Sequence, residues 1–336
     1  MKMAKGSAPA VALPVAGNDA AKGIMYLCAG LFIFSFQDII IKLLSGSFPV
    51  HELVFIRGLI AAPLIFIYVH YDSGFQTLLV KRPFFHLVRS LAMFASYITF
   101  YLALAVIPLT TAVALFFTAP LIITALSIPM LGEQVGWRRW LGVLMGFAGV
   151  LVIIRPGEGS LQLASLLPIA AAASYGFAQL LGRRMGATES ASVMSFYTGI
   201  TFIYCGGLMA FFFGDGSYAD GSGGPMDFLF RAWKAPSLLE FAMISTTGVI
   251  AAMGFVLLTQ AYRVGEANKV APFEYTVMIW ATPLSFLFFG SIPDVFTLLG
   301  AAMIAISGIY VLYRERTNDD SELKGRGPYQ SRYAMK

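Results

Sequence analysis

The chain has 336 residues, of which 58% are hydrophobic and only 12% carry a charge. A soluble domain has about 25% charged residues, so this composition excludes an ordinary soluble protein and places the chain in a lipid bilayer. The net charge of +5 is scattered between apolar segments. This distribution indicates a role in membrane topology and argues against nucleic-acid binding.

Ten apolar segments are predicted as transmembrane helices, because each is close to the length needed to cross about 30 Å of hydrocarbon. In chain order they are residues 22–44, 50–69, 84–105, 109–130, 138–155, 162–183, 190–213, 237–262, 267–290 and 294–313. Residues 1–21 lack the apolar core of a cleaved signal and are predicted to be a disordered tail. The Gly-rich segment 214–236 is predicted to be a flexible loop, and 314–336 a polar tail.

The second half of the sequence repeats the first. Thr118 recurs as Thr276, 158 positions later, and several neighbours match at the same spacing. A weaker repeat with a spacing of 141 relates Gly58 to Gly199. Five helices per half is an odd number, so the prediction is an all-α membrane protein built from two inverted five-helix repeats. The predicted divisions are a first repeat at 22–155, a linker at 156–161 and a second repeat at 162–313.

Lysine and arginine predict the orientation of the chain. With the N-terminus inside, most basic residues fall in the inner segments, whereas the outer segments hold only Lys42, Arg155, Arg231 and Lys234. This asymmetry follows the positive-inside rule, so both termini are predicted to be cytoplasmic.

Four ionisable residues lie away from the ends of the predicted helices and toward their centres, where each costs about 2.5–3.5 kcal/mol and therefore needs a partner, water or a function. From the rise of about 1.5 Å per residue, Asp38 and Arg57 fall at the same depth near the outer face. Arg89 and Glu274 fall at the same depth near the inner face. Opposite charges are thus predicted to meet twice.

The pair of Arg89 and Glu274 is predicted to bridge the two halves and to gate the cavity or hold the charged ends of the substrate. In the alternative, Arg89 reaches the inner headgroups and Glu274 bonds to a nearby Tyr or Thr. Asp38 and Arg57 have either a binding role or a structural one, as a clamp between neighbouring helices. Lys42, one turn beyond Asp38, is expected to satisfy it locally.

Helical spacing predicts the walls of a cavity. Steps of three and four residues from Arg89 reach Tyr97 and Tyr101, and helix 4 contributes Thr118. Tyr175 and Gln179 lie on one face of helix 6. Aromatic side chains beside an acid and a base suit a planar or zwitterionic organic solute. The alternative is that these side chains only pack, and that the hydroxyls bond their own backbone.

Prolines predict hinges in helices 4 and 9, which are equivalent in the repeat. Pro120, Pro272 and Pro283 each remove a backbone hydrogen bond and permit a bend. Static kinks that fit the bundle are the alternative for each of them.

Enzyme and metal motifs are incomplete in this sequence. His51-Glu52-Leu53-Val54-Phe55 has Phe where a zinc helix needs its second His. The sequence lacks a phosphate-binding loop and a Ser nucleophile elbow. No metal site, cofactor or catalytic residue is predicted; the expected partners are a small-molecule substrate and the bilayer.

Several motifs together resemble a known family. They are Pro120 in helix 4, Gly132-Glu133 at its end and the glycines Gly142, Gly146 and Gly149. On these residues the sequence is similar to the EamA branch of the drug/metabolite transporter superfamily over about residues 22–313. One departure is Gly290-Ser291, where the family usually has Gly-Glu.

Further motifs resemble the subgroup that takes up S-adenosylmethionine and similar metabolites. They are Arg57 in Phe-Ile-Arg-Gly, Arg82-Pro83 followed by Arg89, and Ala271-Pro272-Phe273-Glu274-Tyr275. The resemblance implies an inner-membrane carrier, monomeric or weakly dimeric, that moves a small organic metabolite by alternating access. Export of amino acids or drug-like metabolites by the same fold, and a lipid-modifying membrane enzyme, are the alternatives.

Overall fold

The computed structural model describes residues 19–131, 137–155, 163–186, 188–265, 270–307 and 309–310. These residues are helical or in turns and loops, with no β-strand among them. The helices are α1 Ala20–Leu44, α2 Val50–Asp72, α3 Pro83–Leu104, α4 Leu109–Phe116, α5 Thr118–Leu131, α6 Trp137–Ile154, α7 Leu166–Met185, α8 Ala191–Phe213, α9 Pro225–Phe230, α10 Leu238–Val264, α11 Val277–Phe289 and α12 Val295–Ser307. Short 3₁₀ helices cover Phe75–Leu78, Leu163–Ser165 and Ala271–Thr276.

The helices have an apolar exterior and a partly polar interior, the reverse of a soluble protein. Phe211 is 82% exposed and Leu287 is 74% exposed, whereas Arg57 and Arg89 are buried. Six helical segments are long and apolar enough to cross a bilayer: α1, α2, α3, the α4–α5 segment, α8 and α10. Shorter apolar helices include α12 and the segment Phe273–Phe289. The chain is therefore a multi-pass membrane protein.

Each of the ten predicted segments contains helix in the structure. The fourth is interrupted after Phe116, where α4 ends and α5 begins. Pro120 explains this break, because its missing N–H leaves the carbonyl of Phe116 without its helical partner. In the ninth segment, a 3₁₀ helix containing Glu274 precedes α11, and Pro283 lies inside α11. Gly132-Glu133, the side chain of Pro272, residues 1–18 and the predicted tail 314–336 lie outside the described residues. The predicted disordered tail 1–21 is too long at its end, because α1 already begins at Ala20, with Asp19 as its N-cap.

Three helix pairs dominate the packing among the described residues: α1 with α10, α2 with α8, and α3 with α7. Glycine brings two of these helices together. A Cβ atom added at Gly58 would lie 2.8 Å from Cγ1 of Ile203, and one added at Gly199 would lie 3.9 Å from Cβ of Ala62. Both Gly58 to Gly199 and Ala62 to Ile203 are spacings of 141, so the two contacts between α2 and α8 match each other.

The longer spacing of 158 also relates matching geometry. Thr118 donates its hydroxyl to the carbonyl of Leu115 at 2.9 Å, and Thr276 donates its hydroxyl to the carbonyl of Phe273 at 2.6 Å. Each threonine therefore bonds three residues back, where its helix is interrupted. Phe117 contacts Tyr275, its own repeat equivalent, with ring centroids 5.1 Å apart.

The segment 214–236 differs from the predicted flexible loop, because it contains α9 and is bound to the bundle. Phe228 is 1% exposed. Arg231 pairs with Asp227 and donates from Nη1 to the carbonyl oxygen of Ser45 at 3.0 Å. The backbone N–H of Lys234 donates to Glu52 Oε2 at 3.2 Å. Polar composition alone did not reveal these anchors.

Substituting Arg231→Ala is expected to loosen this segment, because it removes the ion pair and the bond to Ser45, worth about 1–3 kcal/mol. Limited proteolysis of the protein in detergent should then cut 214–236 several-fold faster. Met226→Ala, at a residue 58% exposed on α9, is the matched control. Equal cleavage rates in both variants would contradict the role of Arg231.

Candidate functional site

A cavity of about 130 Å³ lies between α1, α3, α4, α7 and α10 and the 3₁₀ helix before α11. Its polar lining is Gln37, Asp38, Ser96, Tyr97, Tyr101, Tyr175 and Glu274. Its aromatic lining is completed by Phe34, Phe100, Phe116, Phe117 and Phe255. Both halves of the sequence contribute to it. Five of the predicted site residues meet here: Asp38, Tyr97, Tyr101, Tyr175 and Glu274.

Glu274 is held at one end of this cavity by two tyrosine hydroxyls. The carboxylate is 3% exposed, and Tyr175 Oη donates to its Oε1 at 2.9 Å. Tyr262 Oη donates to the same oxygen. Tyr262 was not among the predicted site residues, because the prediction paired only charged residues that fall at the same depth and tyrosine carries no charge. The arrangement keeps a carboxylate in an apolar wall with bonds from neutral donors only.

Asp38 lies at the other end of the cavity in a similar arrangement. Gln37 Nε2 donates to Tyr101 Oη at 2.8 Å, and Tyr101 Oη donates to Asp38 Oδ1 at 2.9 Å. Lys42 does not satisfy Asp38 as expected. Its Nζ donates to the carbonyl oxygens of Leu104 and Ile107, at 2.7 and 2.9 Å. These acceptors are at the C-terminal end of α3, where a cation is favoured by the helix dipole.

Arg57 is 1% exposed and is surrounded by aromatic rings. Its guanidinium carbon lies 3.9 Å from the ring centroid of Tyr97, 5.1 Å from that of Phe255 and 5.5 Å from that of Phe202. The described contacts of Arg57 are thus with aromatic rings, whereas the described hydrogen bond of Asp38 comes from Tyr101. The predicted meeting of these two charges stays a prediction. The rings of Tyr97 and Phe255 separate Arg57 from the cavity.

Arg89 joins α3 to the second half of the chain. Its Nη1 donates to the carbonyl oxygen of Met194 at 3.2 Å and to Thr198 Oγ1 at 3.0 Å, and its Nη2 donates to Thr259 Oγ1 at 3.0 Å. The predicted Arg89–Glu274 bridge is thus replaced by two separate sets of partners. The pair was predicted from depth along the helix axis, and depth alone does not fix the direction in which a side chain leaves its helix.

Two further predicted residues, Thr118 and Gln179, are both 2% exposed but do not line the cavity. The hydroxyl of Thr118 bonds its own backbone, as the packing alternative proposed. Gln179 lies in α7 one turn after Tyr175. Within the part of the chain that the structure describes, no three His, Cys, Asp or Glu side chains are placed to hold a metal ion.

Substituting Arg89→Lys is expected to lower the thermal midpoint of the purified protein by several degrees. It is also expected to lower the rate of transport roughly 10-fold. Lysine keeps the charge but cannot reproduce the three bonds of the guanidinium, which are worth about 1 kcal/mol or more each. Arg82→Lys, at the exposed start of α3, is the matched control. An Arg89→Lys protein as stable and active as Arg82→Lys would show that these bonds are dispensable.

Comparison with known proteins decides the class of this site. Residues 21–155 match the EamA-like transporter family. The chain carries an EamA-family transporter domain. An S-adenosylmethionine uptake transporter of Rickettsia bellii (strain RML369-C) is 26% identical over 303 residues, which cover 89% of this chain and 97% of that protein.

Other relatives of this chain are named for different solutes. A riboflavin transporter of Vibrio cholerae is 25% identical over 294 residues, covering 86% of this chain and 92% of that protein. The pseudopaline exporter CntI of Pseudomonas aeruginosa PAO1 is 24% identical over 289 residues, covering 85% and 94%. These relatives are transporters and not enzymes, so the chain is a membrane transporter, and the lipid-modifying enzyme alternative is dropped.

A solved crystal structure shares the fold of this chain. It superposes with a TM-score of 0.63 at 17% sequence identity, covering 88% of this chain and 98% of that one. At this identity the likeness concerns the fold alone.

Proposed function

We propose that this chain is a secondary transporter that moves a small organic metabolite, zwitterionic or cationic and partly aromatic, by alternating access. The carrying observation is the central cavity, in which two carboxylates face aromatic walls contributed by both halves. Carboxylates attract positive charge, and aromatic rings bind cations and planar groups. S-adenosylmethionine is the first candidate substrate, because a transporter named for it aligns with this chain over 97% of its own length.

Alternating access rests on two inverted five-helix repeats, 22–155 and 162–313. This organisation is supported by the matching contacts of Gly58 and Gly199 and by the matching hydroxyl bonds of Thr118 and Thr276. The contact between Phe117 and Tyr275, which are equivalent at the spacing of 158, also supports it, because two residues related by a twofold axis meet when both lie near that axis. Pro120, Pro272 and Pro283 are proposed as the hinges around this axis.

The residue roles follow from the contacts. Glu274 and Asp38 bind the positive groups of the substrate, with Tyr101 and Tyr175 fixing the two carboxylates. Arg89 ties the halves together through Thr198 and Thr259, so it acts on gating without lining the cavity. We also propose that the chain lies in the cell inner membrane with both termini in the cytoplasm. It would act there as a monomer or a weak homodimer.

Counterflow in proteoliposomes tests this function. Vesicles containing the purified protein are loaded with an unlabelled solute and exposed to the labelled form of the same solute. A carrier for S-adenosylmethionine should accumulate label transiently, and the label should be recovered chemically unchanged. Protein-free vesicles give the baseline. Counterflow with riboflavin or an amino acid alone would correct the substrate, and no counterflow with any of them would overturn the proposal.

Relatives of this chain are named for both uptake and export, and an uptake assay in intact cells distinguishes the two directions. Uptake into intact cells that express the protein should exceed uptake into cells expressing Glu274→Gln if the chain is an importer. Lower accumulation than in that variant would instead favour the exporter alternative.

A further inference from the structure

The Asp38 end of the cavity contains buried polar atoms that have no protein partner among the described residues. Gln37 is 1% exposed and uses its amide N–H to bond Tyr101, so its Oε1 is left without a donor. The Oη of Tyr97 also has no partner. Arg57, packed on the Tyr97 ring, has partners for neither Nη1 nor Nη2.

These groups include both hydrogen-bond acceptors and a donor, and all of them lie around Tyr101. The hydroxyl of Tyr101 bonds Gln37 and Asp38, and its ring centroid lies 4.1 Å from that of Tyr97. Gln37 Oε1 and Asp38 are acceptors, and they suit an ammonium group. The Tyr97 hydroxyl can donate a hydrogen bond. The guanidinium carbon of Arg57 lies 3.9 Å from the centroid of the ring that carries this hydroxyl. Leaving buried donors and acceptors unmatched is unfavourable, and a charge in a low dielectric exerts a strong field. The two acceptors complement a positive group of a ligand. The Tyr97 hydroxyl, with Arg57 behind its ring, complements a negative group next to it.

We propose that this end of the cavity binds the head group of an α-amino acid. The ammonium group bonds Gln37 Oε1 and Asp38, and the carboxylate accepts from Tyr97 Oη. Arg57 supplies compensating charge from behind the Tyr97 ring without touching the substrate. The Glu274 end receives the rest of the molecule. This inference rests on the proposed function, and it selects amino-acid-type solutes over a solute such as riboflavin, which lacks that head group.

Matched pairs of solutes test the carboxylate contact directly. Each pair is an α-amino acid and the amine that lacks only its carboxylate: S-adenosylmethionine and its decarboxylated form, methionine and 3-(methylthio)propylamine, phenylalanine and phenethylamine. Their half-inhibitory concentrations are measured against counterflow of whichever solute the full-length protein carries. The amino acid of each transported pair is expected to compete roughly 10-fold or more better than its amine.

Tyr97→Phe keeps the ring under Arg57 and removes only the hydroxyl. This variant is expected to raise the half-inhibitory concentration of the amino acid roughly 5- to 10-fold and to leave that of the amine unchanged. The preference for the amino acid should then fall to about 3-fold or less. Tyr204→Phe, at a residue 71% exposed on α8, is the matched control. Arg57→Lys keeps the positive charge and is expected to retain part of the preference, whereas Arg57→Gln should lose it.

The outcomes separate this inference from the proposed function. Robust counterflow in which amino acid and amine compete equally, or in which only riboflavin is carried, leaves the transporter standing and overturns the head-group site. A Tyr97→Phe protein that weakens both members of a pair equally also overturns it. If the Arg57 variants fail to fold, as judged by size-exclusion chromatography, Tyr97→Phe decides alone.

Discussion

Replacing Glu274 with glutamine is expected to reduce transport by roughly 10- to 100-fold while the protein folds and inserts normally. Glutamine has the same shape and still accepts a bond from Tyr175 and Tyr262, so the packing survives. The lost quantity is the negative charge that attracts the substrate, and an interaction with a charged group is worth about 1.5–3 kcal/mol. The measurement is the initial rate of counterflow for protein reconstituted at equal density.

Glu240→Gln is the matched control for this substitution. Glu240 lies in the capping box of α10, and glutamine serves equally well in that motif. The control should transport at the rate of the unmodified protein. If Glu274→Gln transports as fast as Glu240→Gln, the carboxylate has only a structural role, and the binding site must be sought elsewhere in the cavity.

Adding one methyl group at Gly300 is expected to destabilise the bundle by about 1–3 kcal/mol, because the interface between α6 and α12 has no room for it. The Cβ atom of Gly300→Ala would lie 2.5 Å from the carbonyl oxygen of Gly149 and 2.4 Å from Cγ1 of Ile153. A backbone oxygen cannot turn aside as a flexible side chain can. Thermal denaturation in detergent should therefore show a midpoint lower by several degrees.

Gly46→Ala provides the comparison, since an added Cβ atom there meets nothing within 4 Å. Its midpoint should stay within experimental error of the unmodified protein. A Gly300→Ala midpoint equal to that of Gly46→Ala would contradict the close approach of α6 and α12.

Much of the helical architecture was predictable, because apolar length is written directly in the sequence. The predicted helix 190–213 corresponds to Ala191–Phe213 in the structure, and the predicted helix 237–262 corresponds to Leu238–Val264. The break between α4 and α5 follows from the chemistry of Pro120 alone. The anchoring of 214–236 was not predictable, since burial of Phe228 depends on the position of neighbouring helices.

The site was predictable in its residues but not in its pairings. Burial of Asp38, Arg57, Arg89 and Glu274 raised the expectation of partners, and each has them or lies against aromatic rings. The sequence gives depth along a helix but not the rotation of that helix about its axis. Arg89 and Glu274 therefore agree in depth, yet each bonds to neutral hydroxyls. A tyrosine such as Tyr262 carries no charge signal by which to find it.

The bonds of Lys42 to Leu104 and Ile107 constrain how the transporter moves. One ammonium group on α1 fastens the corner at which α3 ends and α4 begins. In the proposed alternating access, a tilt of α1 that keeps these two bonds would carry the start of α4 with it. Phe116 and Phe117, which line the cavity at the end of α4, would then move in the same direction.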